Sequence, residues 1–421
     1  MVEIDLKYGH SLVPLAFDPA RFRVLGTEIE KEALSDAEIG ERLDHPIDSA
    51  RLEDLVDAGE TVLIVVPDAT RQTACASVIN LVVRRLIANG IRPADISIIF
   101  ATGIHRKATA DEKEAILTPF IAQRIKTLDH DPRDLMQIVR LGETAGGIPI
   151  ELNRRLTEHD HVILVGGVTF HYFAGFTGGR KLICPGLASS KTVSETHKLA
   201  FDCGTRSRRD GVGTGLLEGN AVHEAFIEAV RKIDPAFAIT TVVNDAGEAT
   251  DLFCGNWITS HRAACDAFAA GHTVLISEHR DLVIVSCGGY PYDINMIQAH
   301  KALDAAARAC RDGGTVLFLA ECVDGMGRDD FLDWFDAADS KALAETLCER
   351  YQVNGQTAWN LLRNAERINI RMISILEADQ LAKMRIAKAD ISEISRMIDA
   401  APSGYIMPFG AKFSVGLGTI V

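Results

Sequence analysis

Between Thr61 and Val243 the chain alternates short, unbroken apolar runs with longer stretches whose apolar residues recur at helical spacing. Thr61–Pro67 (TVLIVVP) is apolar after its first position and reads as a strand buried on both faces, since a half-exposed strand would alternate polar and apolar side chains. Thr73–Asn89 reads as the helix after it. Ile96–Phe100 (ISIIF), His161–Gly166 (HVILVG) and Ala236–Val243 are further strands, with a helix starting over Asp111–Leu117. The pattern restarts near Thr273: strands over Thr273–Ser277, Leu282–Ser286, Thr315–Ala320 and Ile368–Ile375, helices over Asp293–Cys310, Lys341–Tyr351, Thr357–Asn364 and Asp390–Ala400. Strands separated by helices predict an α/β fold of two domains with mostly parallel sheets. Residues 1–272 form the first domain and 273–405 the second, and the glycine-spaced, strand-like Ile406–Val421 is expected to return to the first. Short linkers predict compact domains and an interdomain active-site cleft.

The 421 residues are 47% hydrophobic and 6% aromatic, enough for cores of Leu, Ile, Val and Ala. The net charge of −14 repels phosphates and anionic headgroups, which excludes nucleic acid and membrane as expected partners. The same field repels a small anionic substrate, so such a substrate requires a local cationic pocket. Nine cysteines are scattered without a CxxC pair and read as reduced thiols. Met1–Phe17 carries Glu3, Asp5, Lys7 and His10 and lacks the apolar stretch of a signal peptide, and no apolar run approaches the ~20 residues that span a bilayer. A cytoplasmic protein is expected.

In sheets covered on both faces, ligands bind at the carboxyl ends of strands. After the first strand stands Asp68-Ala69-Thr70-Arg71, either a grip on an anionic, sugar-bearing ligand or a helix cap with a surface ion pair. After the second stands Thr102-Gly103-Ile104-His105-Arg106, in which His105 is a candidate proton carrier or a structural histidine. The third leads into His171, Gly175, Gly178, Gly179, Arg180, Lys181 and, on a predicted helix, His197. The glycines free backbone N–H groups to line an anion site, but neither a Walker A loop nor a clean GxGxxG is present. Lys181 beside Arg180 is either an amine activated by a neighbouring cation or a phosphate-binding lysine. His197 on a helix is a candidate metal ligand. In the second domain Gln298 and Lys301, three apart on a helix, can face one way and bind a hydroxy-carboxylate, or else form a solvated stripe.

Together, DATR at Asp68–Arg71, TGIHR at Thr102–Arg106, HYFAGFTGGRK at His171–Lys181 and the His197 helix resemble the lactate racemase family. The resemblance implies a nickel-pincer nucleotide, a pyridinium mononucleotide whose two sulfur-bearing arms grip nickel. One arm would be joined covalently to Lys181, and His197 would complete the nickel's ligands. Asp68, Ala69, Thr70 and Arg71 would contact the cofactor, His105 and His171 would be the acid/base pair, and Arg71, Gln298 and Lys301 would bind a 2-hydroxy acid. Cofactor-building proteins would be partners, and residues 1–272 would hold the cofactor.

Physical chemistry favours the same chemistry. A hydrogen on the carbon beside a carboxylate is too weakly acidic for an imidazole of pKa about 6.5 to remove. Taking it as hydride while a histidine takes the hydroxyl proton leaves a flat 2-keto acid, and return to the other face inverts the centre. One departure concerns the substrate: lactate-specific relatives carry tyrosine where this chain has Ile297, which points to a 2-hydroxy acid larger than lactate. A zinc hydrolase using His105, His171 and His197, and a small-anion carrier without catalysis, are the alternatives.

Overall fold

The structure, a computed structural model, describes residues 1–26, 31–69, 73–244 and 246–418. Every residue of the strand Val62–Pro67 is buried, as its unbroken apolar run requires. Val62, Ile64 and Val66 face one core, which they share with Val78, Val82 and Leu86 of the helix Cys75–Ala88. Leu63 and Val65 face another, which they share with Val193, Val222 and Phe226 from the helices Ser190–Lys198 and Ala221–Val230. Burial on both faces thus explains the absence of alternation in the sequence.

Around this strand lies a six-stranded sheet in the order Ala249–Gly255, Phe237–Val243, His161–Gly167, Val62–Pro67, Ile96–Ala101, Lys126–Asp129. Its pairs are parallel except the one between Phe237–Val243 and Ala249–Gly255. Val62–Pro67 therefore has an earlier-connected neighbour on one side and the returning His161–Gly167 on the other. That reversal of strand order opens a crevice at their carboxyl ends.

The second six-stranded sheet runs Ala387–Lys388, Asn369–Ile373, Cys310–Leu319, Arg280–Ser286, Gly404–Met407, Phe22–Val24, with every pair parallel. Val283 and Val285 face a core with Ala299, Leu303 and Ala306 of the helix Met296–Ala309. Leu282 and Ile284 face one with Leu6, Val13 and Leu15 of the N-terminal hairpin.

The chain divides into two compact units, and the division differs from the expected one. One unit holds the N-terminal strands, Phe201–Arg208 and everything from Gly271 on; the other holds the long segment ending at Ala200 and Arg209–Ala270. The segment expected to return from residue 406 to the first domain instead supplies an inner strand of the second sheet, and Ser414–Leu417 pairs with Thr273–Ile276. The reason is local: a Cβ at Gly404 would sit 2.3 Å from the Phe22 ring and 2.6 Å from the Leu282 carbonyl, so glycine admits both neighbours. Near residue 118 the helix predicted from Asp111 breaks, at Thr118 (φ 68°) before Pro119, because the residue preceding proline avoids the helical region. The nine cysteines are not all reduced thiols: Cys203 and Cys348 are bonded at a Cα separation of 5.6 Å, and the other seven are buried and free. Among the described residues no helix is long and apolar enough to cross a membrane.

Candidate active site

The carboxyl ends of the central strands Val62–Pro67, Ile96–Ala101 and His161–Gly167 carry the predicted residues. Asp68, directly after Val62–Pro67, is 6% exposed. Its Oδ2 lies 2.7 Å from Nδ1 of His105, whose own side chain is half exposed. The turn that presents His105 is closed by its N–H donating to the Thr102 carbonyl at 3.0 Å, and Gly103 donates to the Gly186 carbonyl at 2.8 Å. A carboxylate accepting from Nδ1–H leaves the His105 Nε2 with a lone pair. Ala69 is exposed. Thr70 and Arg71 lie outside the described residues.

Beyond His161–Gly167 the chain makes a short ladder, His171 opposite Gly175. Gly175 has φ +77°, and a Cβ there would lie 2.2 Å from the Leu216 carbonyl oxygen. Gly175→Ala is therefore expected to destabilise the protein by roughly 2–4 kcal/mol, read as a fall in Tm; an unchanged Tm would contradict this backbone geometry. The ladder turns the His171 Nδ1 toward the Ala174 N–H, which donates to it at 3.2 Å.

Phe173 joins the remaining residues. Its ring centroid lies 4.5 Å from that of His171 and 5.1 Å from that of His197, and the Lys181 Nζ stands 5.7 Å from it. Phe226 closes the other side, 5.7 Å from His197 and 5.8 Å from the Lys181 Nζ. Lys181 and His197, sixteen positions apart in sequence, therefore share two aromatic walls. Burial, and secondarily the Lys181 charge, push the His197 pKa down to about 3. It is a neutral imidazole with a lone pair at any ordinary pH, the state in which histidine binds metal.

Two glycines place Lys181. Gly178 (φ +73°) passes 2.7 Å from the Gly167 carbonyl and Gly179 (φ +50°) 2.5 Å from the His261 ring, measured from the Cβ each lacks. Arg180 turns away from Lys181's surroundings. It is 1% exposed, and its guanidinium donates to the Ala174 carbonyl at 2.7 Å and lies 3.2 Å from His261. Burial lowers its pKa to about 10. Arg180 braces the loop from beneath. The sequence did not single out Phe173, Phe226 or His261: aromatic residues at strand or helix spacing signal only a core.

In the other unit, Lys301 donates to Gln298 Oε1 at 2.7 Å, one turn apart on Met296–Ala309, as their spacing requires. Asn295 caps that helix by accepting from the Gln298 N–H at 3.0 Å. Ile297 is half buried and packs against the core with Tyr292 and Phe409. The structure thus brings together Asp68 with His105, His171 with Lys181 and His197, and Gln298 with Lys301. Among the described residues no three His, Cys, Asp or Glu side chains group as a metal site, so His105, His171 and His197 do not form the zinc triad considered as an alternative.

Residues 8–208 match the lactate racemase N-terminal domain family and residues 276–403 the lactate racemase C-terminal domain family. The lactate racemase of Thermoanaerobacterium thermosaccharolyticum is 31% identical over 341 residues, covering 80% of this chain and 78% of that protein. The lactate racemase of Lactiplantibacillus plantarum is 31% identical over 338 residues, covering 79% and 77%. Among solved structures, the T. thermosaccharolyticum lactate racemase apoprotein superposes with a TM-score of 0.89 at 26% identity, over 99% of this chain and 100% of that one. A Thermotoga maritima protein shares the fold, with a TM-score of 0.69 at 20% identity over 93% and 100%.

Proposed function

The chain belongs to the lactate racemase family, and from that premise we propose that it is a racemase or epimerase inverting C2 of a 2-hydroxy acid with a nickel-pincer nucleotide. It is an isomerase by this kinship. The observation that carries the reading is the convergence of His171, Lys181 and His197 on Phe173.

The residues fit the cofactor. One buried neutral imidazole, His197, stands beside one primary amine, Lys181, between two phenyl rings. A single protein donor suits a metal whose other ligands arrive with an organic group, and the amine suits a covalent tether. We assign His197 to nickel, Lys181 to the covalent link and Asp68 to Arg71 to the nucleotide. When bound, the nickel-pincer nucleotide supplies a reversible two-electron acceptor for the hydrogen on C2.

The chain's own groups do the rest. His105 Nε2, made acceptor by Asp68, takes the hydroxyl proton of one enantiomer. His171, whose Nδ1 accepts from the Ala174 N–H, exchanges the hydroxyl proton of the other enantiomer at Nε2, taking it when that enantiomer is consumed and returning it when that enantiomer is formed. Lys301, held by Gln298, anchors the carboxylate; at ~4 Å and an effective dielectric of about 20 that attraction is roughly 4 kcal/mol before desolvation. This local cation offsets the repulsion of the −14 field.

From Ile297, where lactate-specific relatives carry tyrosine, we infer room for an acid longer than lactate. The test is a panel of single-enantiomer 2-hydroxy acids given to cofactor-loaded enzyme and followed by loss of optical purity. Racemisation is expected, with at least one longer acid preferred to lactate. Ile297→Tyr should shift kcat/KM toward lactate by about tenfold, the scale of a pocket change of this size. Loaded enzyme that racemises none of them would overturn the assignment.

A further inference from the structure

We propose that the segment Phe201–Arg208, with the helices Ser340–Glu349 and Val353–Arg367, forms a binding site for a small doubly charged oxyanion, a phosphate ester or a dicarboxylate. A cavity of about 330 Å³ opens there, lined by the cations Arg206, Lys341 and Arg363 and the hydroxyls of Thr205, Ser207 and Ser340. Trp359, which also lines it, is buried, and the Arg363 guanidinium lies 5.5 Å over its ring.

In a chain of net charge −14, the two cations Lys341 and Arg363, beside the ion-paired Arg206, form a local reversal of the field around one small cavity. The neighbouring acids are already engaged. Glu345 pairs with Arg206 at 3.2 Å, and Glu366 accepts from the Ser340 N–H at 2.8 Å and pairs with Arg385 at 3.2 Å. Among the described residues neither Lys341 nor Arg363 has a carboxylate partner. Two cations of different shape, an ammonium and a planar guanidinium, therefore border the cavity without a carboxylate partner, while the hydroxyls are held by the protein, Ser340 by Glu366 and Thr205 and Ser207 by each other and the Arg208 carbonyl. Its volume suits a small molecule of a few carbons bearing a phosphate or two carboxylates.

The walls are firmly held. Phe201 meets Trp359 edge-on at 5.1 Å, Cys203 is bonded to Cys348, and Arg208 donates to Asn360 at 3.0 Å. Asn360 in turn donates to Asp304 at 2.8 Å. A preorganised wall spends little binding energy on ordering, which favours a specific ligand over a diffuse counterion cloud.

The test is calorimetric titration of the full chain with inorganic phosphate, glycerol phosphate and succinate, each at constant ionic strength. One saturable site per chain is expected for at least one of them, weakened at least tenfold in a Lys341→Gln/Arg363→Gln double variant whose Tm without ligand is unchanged. Lys301→Gln should leave this binding intact, which separates the site from the proposed substrate site and lets either assignment fail alone. Preference for glycerol phosphate identifies a phosphate ester, and preference for succinate a dicarboxylate. Absence of saturable heat, equal displacement by chloride, or unchanged binding in the double variant would overturn the proposal.

Discussion

Lys181→Ala, made in cells that also build the cofactor, is expected to lack the nucleotide-sized mass adduct carried by the unaltered protein and to lose racemisation by at least roughly 10⁴-fold, about 5 kcal/mol in the barrier. The amine is the proposed tether, and alanine offers nothing that forms the bond. Lys181→Arg is the sharper control. It keeps a cation beside Phe173 and Phe226, where the Lys181 ammonium stands 5.7 and 5.8 Å from the rings, yet cannot accept the covalent link. Both variants should fold, since a residue whose role is to hold a group contributes little to the empty protein. Intact mass spectrometry reads the adduct and chiral chromatography the turnover. An adduct persisting in either variant would place the link elsewhere; full turnover in Lys181→Arg would show that charge alone suffices.

His171→Ala and His105→Ala are expected to abolish racemisation in both directions while each spares one half of the chemistry. Inversion needs one histidine to take a proton and the other to give one, so the full cycle fails without either. A single turnover from one enantiomer to bound keto acid needs only the histidine on that side. Each variant should therefore still form keto acid from one enantiomer and be slowed by about 10²–10⁴-fold with the other, the usual contribution of a positioned acid or base. The two variants should show opposite preferences. Rapid quenching of loaded enzyme with each pure enantiomer measures this. Equal slowing of both enantiomers in both variants would contradict the two-sided assignment. Asp68→Asn should slow the His105-dependent enantiomer alone, because an amide can no longer hold the Nδ1–H tautomer that the 2.7 Å contact sets.

Much of this site was legible because its residues follow strands. Asp68, His105 and His171 each stand just beyond an unbroken apolar run, and burial of Val62–Pro67 on both faces makes the end of such a run the mouth of a crevice. The spacing of Gln298 and Lys301 placed them on one helix face, where Lys301 donates to Gln298. What joined the site was not legible. Phe173 and Phe226 are aromatic residues in apolar surroundings, indistinguishable in sequence from any core residue, and their role rests on contacts between segments far apart in the chain. The domain division was also hidden, because it depends on short pieces. Phe22–Val24 is a three-residue strand and Phe201–Arg208 an eight-residue excursion, too brief to carry a periodic signal. The Cys203–Cys348 bond belongs to that excursion and has no spacing pattern to announce it. Arg180, by contrast, stood out in the sequence as Lys181's neighbour, but its two Nη groups face the Ala174 carbonyl and His261.

Nickel K-edge absorption on loaded enzyme, compared between the unaltered protein and His197→Ala, probes the pairing of Lys181 with His197 most directly. About one nickel per chain is expected, with sulfur neighbours and one imidazole nitrogen. In His197→Ala the adduct on Lys181 should remain by mass while the imidazole signal disappears and nickel is lost or loosely held. An unchanged nickel environment in His197→Ala, or nickel bound without any adduct on Lys181, would contradict a single group held by both residues.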